Sequence, residues 1–390
     1  MTCAPTSCPV RNSVPQLMNS VSPFTTPDVA SPHHPAPSGQ VSIHRLSSSE
    51  WPLLSSFLDE AYGERAEFKH PHRWRWQFGD NPFRENSESD LWPVWVARDG
   101  DRIVGQTAAQ IEPLHGVPGC PRLAWSVDTI VLPDYRRCGI GRRLQQASQE
   151  AHQAFASMSM SAANRRIKQR LGGQQLGELL EWSLGDPAAQ QTPISRLRRT
   201  CRHAFDRMRL NQATRESTTH RSSLRCVPLE RLDESIDAIW TDRKSDYDWG
   251  INRDSQFLNW KYMDQPHVTH RAWRLERDRG HIGWIVIRLA GPGEPKRGLV
   301  ADLVVPSHDP SLRVAVLVEL VELCRQAGLT CIRVGSSSAT EAAALKSTGF
   351  RLRRRYQPIW HLAGQDPHPP RHPLFSLGDH DLGQYPLHRR

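Results

Sequence analysis

Short alternating runs of apolar and polar residues, each followed by a helical pattern, occupy most of the chain, and they come in the same order twice. VSIHRLSSSEWPLLSSFLDEAY (Val41 to Tyr62) reads as a strand and a helix, and LRCVPLERLDESIDAIWTDRK (Leu224 to Lys244) repeats that reading. WQFGDNP (Trp76 to Pro82) matches WKYMDQP (Trp260 to Pro266) at nearly the same offset. VWVARDGDRIVGQTAAQI (Val94 to Ile111) and AWRLERDRGHIGWIVIRL (Ala272 to Leu289) are each two extended runs around a polar turn with glycine, which predicts a hairpin. VDTIVLP (Val127 to Pro133) is then echoed by ADLVVPS (Ala301 to Ser307). Weak matches that keep one order predict a tandem duplication.

The first copy continues as VDTIVLPDYRRCGIGRRLQQASQEAH, Val127 to His152. A β-branched strand ends at Pro133, and from Gly141 the composition is that of a helix. The bend between them therefore presents the free amides of a helix N-terminus, where the macrodipole favours negative charge. Gly139 and Gly141 remove side chains that would keep a ligand off that backbone, and Arg136, Arg137, Arg142 and Arg143 add counter-charge. The arrangement predicts a pyrophosphate cradle. Neither G-x-x-x-x-G-K-[ST] nor G-x-G-x-x-G with a later acidic residue is present, so the phosphate loop of nucleotide hydrolases and the dinucleotide fingerprint are set aside.

Hairpin, strand, R-x-x-G-x-G bend and helix together resemble the GNAT superfamily, the acetyl-CoA-dependent N-acetyltransferases. Their element V-x-P-x-x-R-x-x-G-x-G-x-x-L is matched by Val131, Pro133, Arg136, Gly139, Gly141 and Leu144. The resemblance covers roughly Val41 to Leu180, and more faintly Leu224 to Leu362. It implies an α/β (α+β) fold of two tandem GNAT-like domains, each a mixed, largely antiparallel sheet flanked by helices. It also implies that the bend, Arg136, Arg137, Cys138, Gly139, Ile140, Gly141 and Arg142, holds the pyrophosphate of acetyl-CoA, and that Ile130, Val131 and Leu132 pair with its pantetheine arm. NRRIKQRLGG (Asn164 to Gly173) matches a later helix and turn of the family, with Asn164 as its cap or as a cofactor contact.

Amine acetylation requires a deprotonated nitrogen and then a proton for the leaving thiolate. The family's usual carboxylate is matched by Asp128, with Glu112 second; Asp302 at the corresponding place keeps a structural reading of Asp128 open. Lys168 stands where many relatives carry a tyrosine, and reads as a surface lysine. Cys138 lies in the bend with no base marked beside it, which favours direct transfer. The second copy has no such glycines: after ADLVVP it reads SHDPSLRVAVLVELVELC, and Asp309-Pro310 there predicts a retained fold without cofactor binding.

Composition then fixes the surroundings. The 390 residues allow two or three domains, read as 41–190, a basic helical linker 191–222, and 223–364, between tails 1–40 and 365–390 expected to be disordered. In the linker Ile194, Leu197, Cys201, Phe205 and Met208 predict one apolar helix face. A formal charge of +9 favours anionic partners. The eight cysteines include no C-x-x-C, there is no secretion signal, and no apolar run approaches the ~20 residues of a membrane helix; a cytoplasmic protein without metal is the expectation. The aromatic residues Trp74, Trp76, Phe78, Phe83, Phe257, Trp260 and Tyr262 are read as core under the sheets, and no nucleic-acid-binding pattern accompanies them. The expected function is transfer of an acyl group to a primary amine, on a small molecule or a peptide. A CoA-sensing or anion-binding adaptor without catalysis is the alternative. Acceptor identity and oligomeric state are not encoded in any motif.

Overall fold

The computed structural model describes residues 40–69, 71–85, 90–185, 193–306, 309–364 and 369–384, without the side chains of residues 65, 67, 68 and 193–203. The expectation for the N-terminal tail lies outside them. The predicted strands form two sheets. In the first half they are β1 (Ser42–Ser47), β2 (Leu91–Asp99), β3 (Arg102–His115), β4 (Arg122–Val131), β5 (Ala154–Ser157), β6 (Gln174–Gln175) and β7 (Leu179–Leu184). In the second half they are β8 (Leu224–Leu229), β9 (Trp249–Ile251), β10 (His270–Arg277), β11 (Gly280–Arg288), β12 (Arg297–Val304), β13 (Cys331–Ser336), β14 (Arg351–Tyr356), β15 (Ile359–Leu362) and β16 (Pro373–Leu374).

Both predicted hairpins are present, β2–β3 around Gly100 and β10–β11 around Asp278 and Arg279. Their tight turns need left-handed residues, and Gly100, Asp278 and Arg279 all have positive φ. WQFGDNP and WKYMDQP form matching single π-helical turns, Arg75–Gly79 and Asn259–Met263. In each copy the strand after the hairpin carries a bulge, between the partners of Gln106 and Ala108 in β4 and those of Val286 and Ile287 in β12. The duplication is thus written in irregularities as well as in regular elements.

The two copies do not close separately. The first sheet runs β1-β2-β3-β4-β5-β15-β6, with β9 added at the end of β3 and β16 beside β9; the second runs β14-β7-β13-β12-β11-β10-β8. β7, from the first half of the chain, therefore lies between β13 and β14, and β15, from the second half, pairs with β5. This exchange crosses the expected boundaries of 41–190 and 223–364, because antiparallel strands of similar pattern fill equivalent places in either sheet. One hydrophobic cluster is likewise shared, joining Trp74, Trp125 and Leu144 to Trp240, Trp249, Phe257 and Trp284. A second lies under the helix Pro310–Gln326.

Two expectations are corrected. Residues 371–384 of the C-terminal region are ordered, and Leu374 to Gln384 are buried between the sheets, because Leu374, Phe375, Leu377 and Leu382 have apolar surface to cover and Asp379 meets a buried arginine. The linker helix, Pro193–Glu216, exposes Phe205 and Met208; it docks through Leu210 and Ala213, with Asp206 paired to Arg351 at 2.7 Å.

The pseudo-equivalent Trp76 and Trp260 stack on each other at 5.2 Å, and Trp76 Nε1 donates to the Trp260 carbonyl at 3.0 Å. Trp76→Ala removes both the ring contact and the bond from a buried seam, and is expected to destabilise the fold by about 3–5 kcal/mol, read as a lower denaturation midpoint.

Candidate active site

β4 pairs with β3 along its length, up to Val131 opposite Gly105. With β5 it pairs only at Ala124–Phe155 and Trp125–Ala156, then the two parallel strands part. The edge of β4 from Ser126 onward so borders an opening, and Ile130 and Val131, only partly buried, line it. Leu132 differs from its two neighbours. Its side chain is buried and its amide is used on Val104, so it belongs to the sheet more than to the opening.

Beyond β4 the bend reaches the helix Ile140–Glu150 through Gly139, whose φ of 77° makes it the left-handed residue before the first turn; no side chain caps this helix. Arg137 is left-handed too, and such backbone gathers N–H groups into a concavity. A Cβ on Gly139 would meet nothing within 4 Å, and one on Gly141 would touch only Ile167 and Val131 at 3.9 Å. Packing inside the protein does not demand a glycine at 141. Open space above uncapped amides fits a phosphate group, which a side chain there would displace. Arg137, Cys138 and Arg142 are exposed around the bend, while Arg136 bends back to donate to the Val131 carbonyl at 3.1 Å. The Cys138 thiol donates to the Arg136 carbonyl.

Across the opening Ser161, not Asn164, caps the helix Ala162–Arg170, accepting the Asn164 amide at 3.2 Å. Asn164 Oδ1 is buried without a partner in the protein, which leaves it an acceptor for a ligand. Lys168 is buried rather than on the surface. It donates to Gln145 Oε1 at 2.5 Å and lies 4.3 Å from the centre of the Phe155 ring. Burial lowers its pKa well below the ordinary lysine value, and the side chain is a strut between the two helices.

With this geometry in hand, comparison with known proteins is direct. The family profile of the acetyltransferase (GNAT) domain matches residues 90–172, the hairpin, β4, the bend and both helices. Residues 90–172 are a GNAT domain. A GCN5-related N-acetyltransferase from Anabaena variabilis aligns over 83% of this chain and 73% of its own, at 13% identity and a TM-score of 0.53. A protein of unknown function from Enterococcus faecalis, named a probable N-acyltransferase, aligns over 83% and 72%, at 10% identity and 0.51. Both likenesses run through the two halves and are likenesses of fold. Among curated proteins none matches the sequence.

The second copy repeats the GNAT-like architecture, but the N-terminus of its corresponding helix is capped. At the N-terminus of Pro310–Gln326 the Asp309 carboxylate accepts the Leu312 amide at 2.8 Å, and it is itself paired with Arg277 at 3.2 Å. A carboxylate of the chain thus occupies the place where the first copy leaves amides free.

Asp128 sits at the β4 bulge with φ 52°, a conformation that aspartate tolerates better than most residues. Its carboxylate is ion-paired with Lys69, and Arg73 Nη2 is 3.9 Å away. The Lys69 ammonium also lies over the Tyr62 ring at 4.7 Å. Burial brings the Lys69 pKa down to about 8 against the opposing pull of Asp128, and burial followed by the Asp128 charge pushes the Tyr62 phenol well up. Glu112 is placed elsewhere. Fully buried, it accepts from Lys261 Nζ at 2.5 Å and from Trp125 Nε1 at 2.8 Å, and it ties the first sheet to the turn Asn259–Met263 of the second copy. Lys69 and Tyr62 carry no spacing signal. Only the basic and aromatic stretch KHPHRWRW, Lys69 to Trp76, marks their neighbourhood. Among the described residues no group of three or more His, Cys, Asp or Glu could hold a metal ion, and no helix is long and apolar enough to cross a membrane.

Lys69 supplies a test of this geometry. Below pH 8 the folded protein holds a charged, buried lysine at a cost. Between pH 8 and the ordinary value near 10.5 the unfolded chain keeps a proton that the folded chain has released, so stability rises with pH. Wild type measured against Lys69→Met is expected to gain on the order of 2–3 kcal/mol from pH 7 to pH 10 in denaturant titrations. An equal pH slope in the two proteins would place Lys69 in water.

Proposed function

We propose that the protein is an acyl-CoA N-acyltransferase whose first GNAT domain binds acetyl-CoA and passes the acyl group directly to a primary amine. The single observation that carries the reading is the contrast between two equivalent helices, one uncapped behind Gly139 and one capped by Asp309. An uncapped N-terminus beside a strand edge that has parted from its neighbour suits a long, phosphate-bearing ligand. The amides of Gly139, Ile140 and Gly141, with Arg137, Cys138 and Arg142 around them, would hold the pyrophosphate, and Arg136 would support the bend from behind. Ile130 and Val131 would meet the pantetheine arm through their backbone, with Leu132 closing the end of the strand and Asn164 offering its unpartnered oxygen.

When bound, acetyl-CoA supplies an activated thioester. The chain's own contribution is to orient it and to handle protons. Asp128, two residues from Ile130 on β4, is the carboxylate that would receive the proton of the amine. Its neighbour Lys69, whose pKa burial lowers to about 8, is ion-paired with it. Glu112, locked against Lys261, takes no part in this assignment.

The pairing of Asp128 with Lys69 also favours the second reading, a CoA-binding adaptor without turnover, since Lys69 and Arg73 already engage that carboxylate. Calorimetry with acetyl-CoA and a panel of primary amines separates the two. Wild type is expected to bind at about one site per chain, and Gly139→Glu with Gly141→Glu to weaken binding at least about a hundredfold, by placing carboxylates where the phosphates would lie. Binding that survives this change overturns the cradle. Binding without transfer to any amine, unaltered by Asp128→Asn, establishes the adaptor.

A further inference from the structure

In the second copy β12 and β13 pair only at Arg297–Cys331, Gly298–Ile332 and Leu299–Arg333, and then part as β4 and β5 do. This second opening is bordered by a later segment of the chain itself. Leu374 to Leu377 share the lining of the space there with Val300, Leu303, Leu317 and Leu345, and Arg313, on the same lining, is bonded to Glu341 at 3.2 Å. The Gly378 amide donates to the Ala301 carbonyl at 2.8 Å, a backbone bond to the strand equivalent to β4. The fit requires glycine: a Cβ there would stand 2.3 Å from Tyr262 Oη and 2.5 Å from the Ala301 oxygen. Asp379 follows, bound through both oxygens to Arg253 at 2.9 Å.

His380, left-handed at φ 62°, then turns the segment into the first copy. Its Nε2 lies 3.0 Å from the Ser126 carbonyl, its ring stands edge-on to Trp125 at 5.6 Å, and its Nδ1 is paired with Asp381. Ser126 directly follows the last residue of β4 that pairs with β5. His380 is therefore at the inner end of the first opening, and the Gly139 bend is at the outer end. Asp381 and Asp128 both act on Lys69 and on Tyr62, so the two carboxylates share one neighbourhood. Gln384 completes the connection, accepting from Arg73 at 3.0 Å and donating to Gln110 at 2.7 Å.

We infer that Leu374–Gln384 forms the inner wall of the acyl-transfer cleft, that the second copy's cleft serves as its socket, and that His380 is a positioning residue for the acceptor amine. The inference rests on the acyltransferase reading. The socket argument explains why the second copy keeps parted strands without an anion site: a peptide segment, not a cofactor, uses them. The positioning argument follows from the chemistry of an amine, which is cationic in solution and would approach a wall that carries Asp381 beside Asp128. A wall at this point also excludes water from the thioester.

The full chain is compared with His380→Ala, His380→Gln and Gly378→Val. Acetyl-CoA binding is measured by calorimetry, and thiol release from acetyl-CoA is followed with and without glucosamine, spermidine or lysine. Acetyl-CoA affinity is expected to stay within about twofold, while His380→Ala raises the acceptor KM by about tenfold or more with a smaller change in kcat, and His380→Gln, which keeps a donor for Ser126, recovers most of it. Gly378→Val, which unseats the segment, is expected to raise water-dependent thiol release by about fivefold, a readout that needs no acceptor. If Gly378→Val does not fold, water-dependent release by His380→Ala, whose backbone anchors are intact, stands in for it. Wild-type release in both conditions by every folded variant overturns the inference and leaves the acyltransferase reading standing. Failure of the wild-type chain to bind acetyl-CoA overturns both.

Discussion

Everything near the candidate site leans on one buried cation, Arg253. Its guanidinium is fully buried and meets Asp302 at 2.9 Å, both oxygens of Asp379 at 2.9 Å, and the Ile251 carbonyl at 2.8 Å. A lone charge at such a depth would be prohibitive, and burial by itself lowers its pKa; the two carboxylates reverse the sign and hold it above the ordinary arginine value. The three partners come from β12, from the C-terminal segment and from β9, which itself extends β3 of the other sheet. One side chain thereby fixes the second sheet, the tail and the edge of the first sheet to each other. Lys261, bonded to Glu112 at 2.5 Å and to the His380 carbonyl at 2.8 Å, repeats the device nearer the first copy. Buried pairs of this kind add little net stability over apolar packing, yet removal of one partner is severe. Their effect is to specify one arrangement of the interface.

Duplication gave the chain two versions of the same geometry, and their divergence is local. In both copies a bulged strand parts from a parallel neighbour and leads to a helix. What separates them is a handful of groups at that helix: Gly139 and Gly141 against Asp309 and Pro310. An anion at a helix N-terminus is favoured by roughly 0.3–2 kcal/mol from the dipole alone, and the free amides add direct bonds. In the second copy the Asp309 carboxylate takes up the Leu312 amide from within and places a negative charge at that helix end. The parted strands remained, and an apolar segment with a glycine at its closest approach borders them.

What the sequence made legible was everything that depends on neighbours along the chain. The hairpins, the matched WQFGDNP and WKYMDQP turns and the bend at Gly139 all follow from local pattern. What it concealed depends on neighbours in space. β7 and β15 exchange sheets, although nothing in LLEWSL or IWHL distinguishes one antiparallel site from the other. The polar, proline-rich neighbourhood of residues 365–390 hid four apolar residues whose groove is assembled from β12, β13 and two helices. The apolar stripe through Phe205 and Met208 was a fair reading of periodicity, but docking was decided by Leu210, Ala213 and the Asp206–Arg351 pair, which periodicity does not weigh. Lys168 was read as a surface lysine because lysine almost always is one; only the Gln145 oxygen and the Phe155 ring show why it is not.

The same long-range pairings make the two halves interdependent. Strand exchange means that neither sheet is complete without residues from the other half, and the shared cluster around Trp76 and Trp260 would be exposed if they separated. An apolar face of that size has no stable exposed state in water. The second copy therefore has a physical role in the whole: it supplies β15's neighbours in sequence, the seat of the C-terminal segment and Lys261, which is paired with Glu112 behind the first sheet. Chemistry placed at β4 is then a property of the whole chain, because the strand edge on which it rests is held from behind by residues more than a hundred positions away.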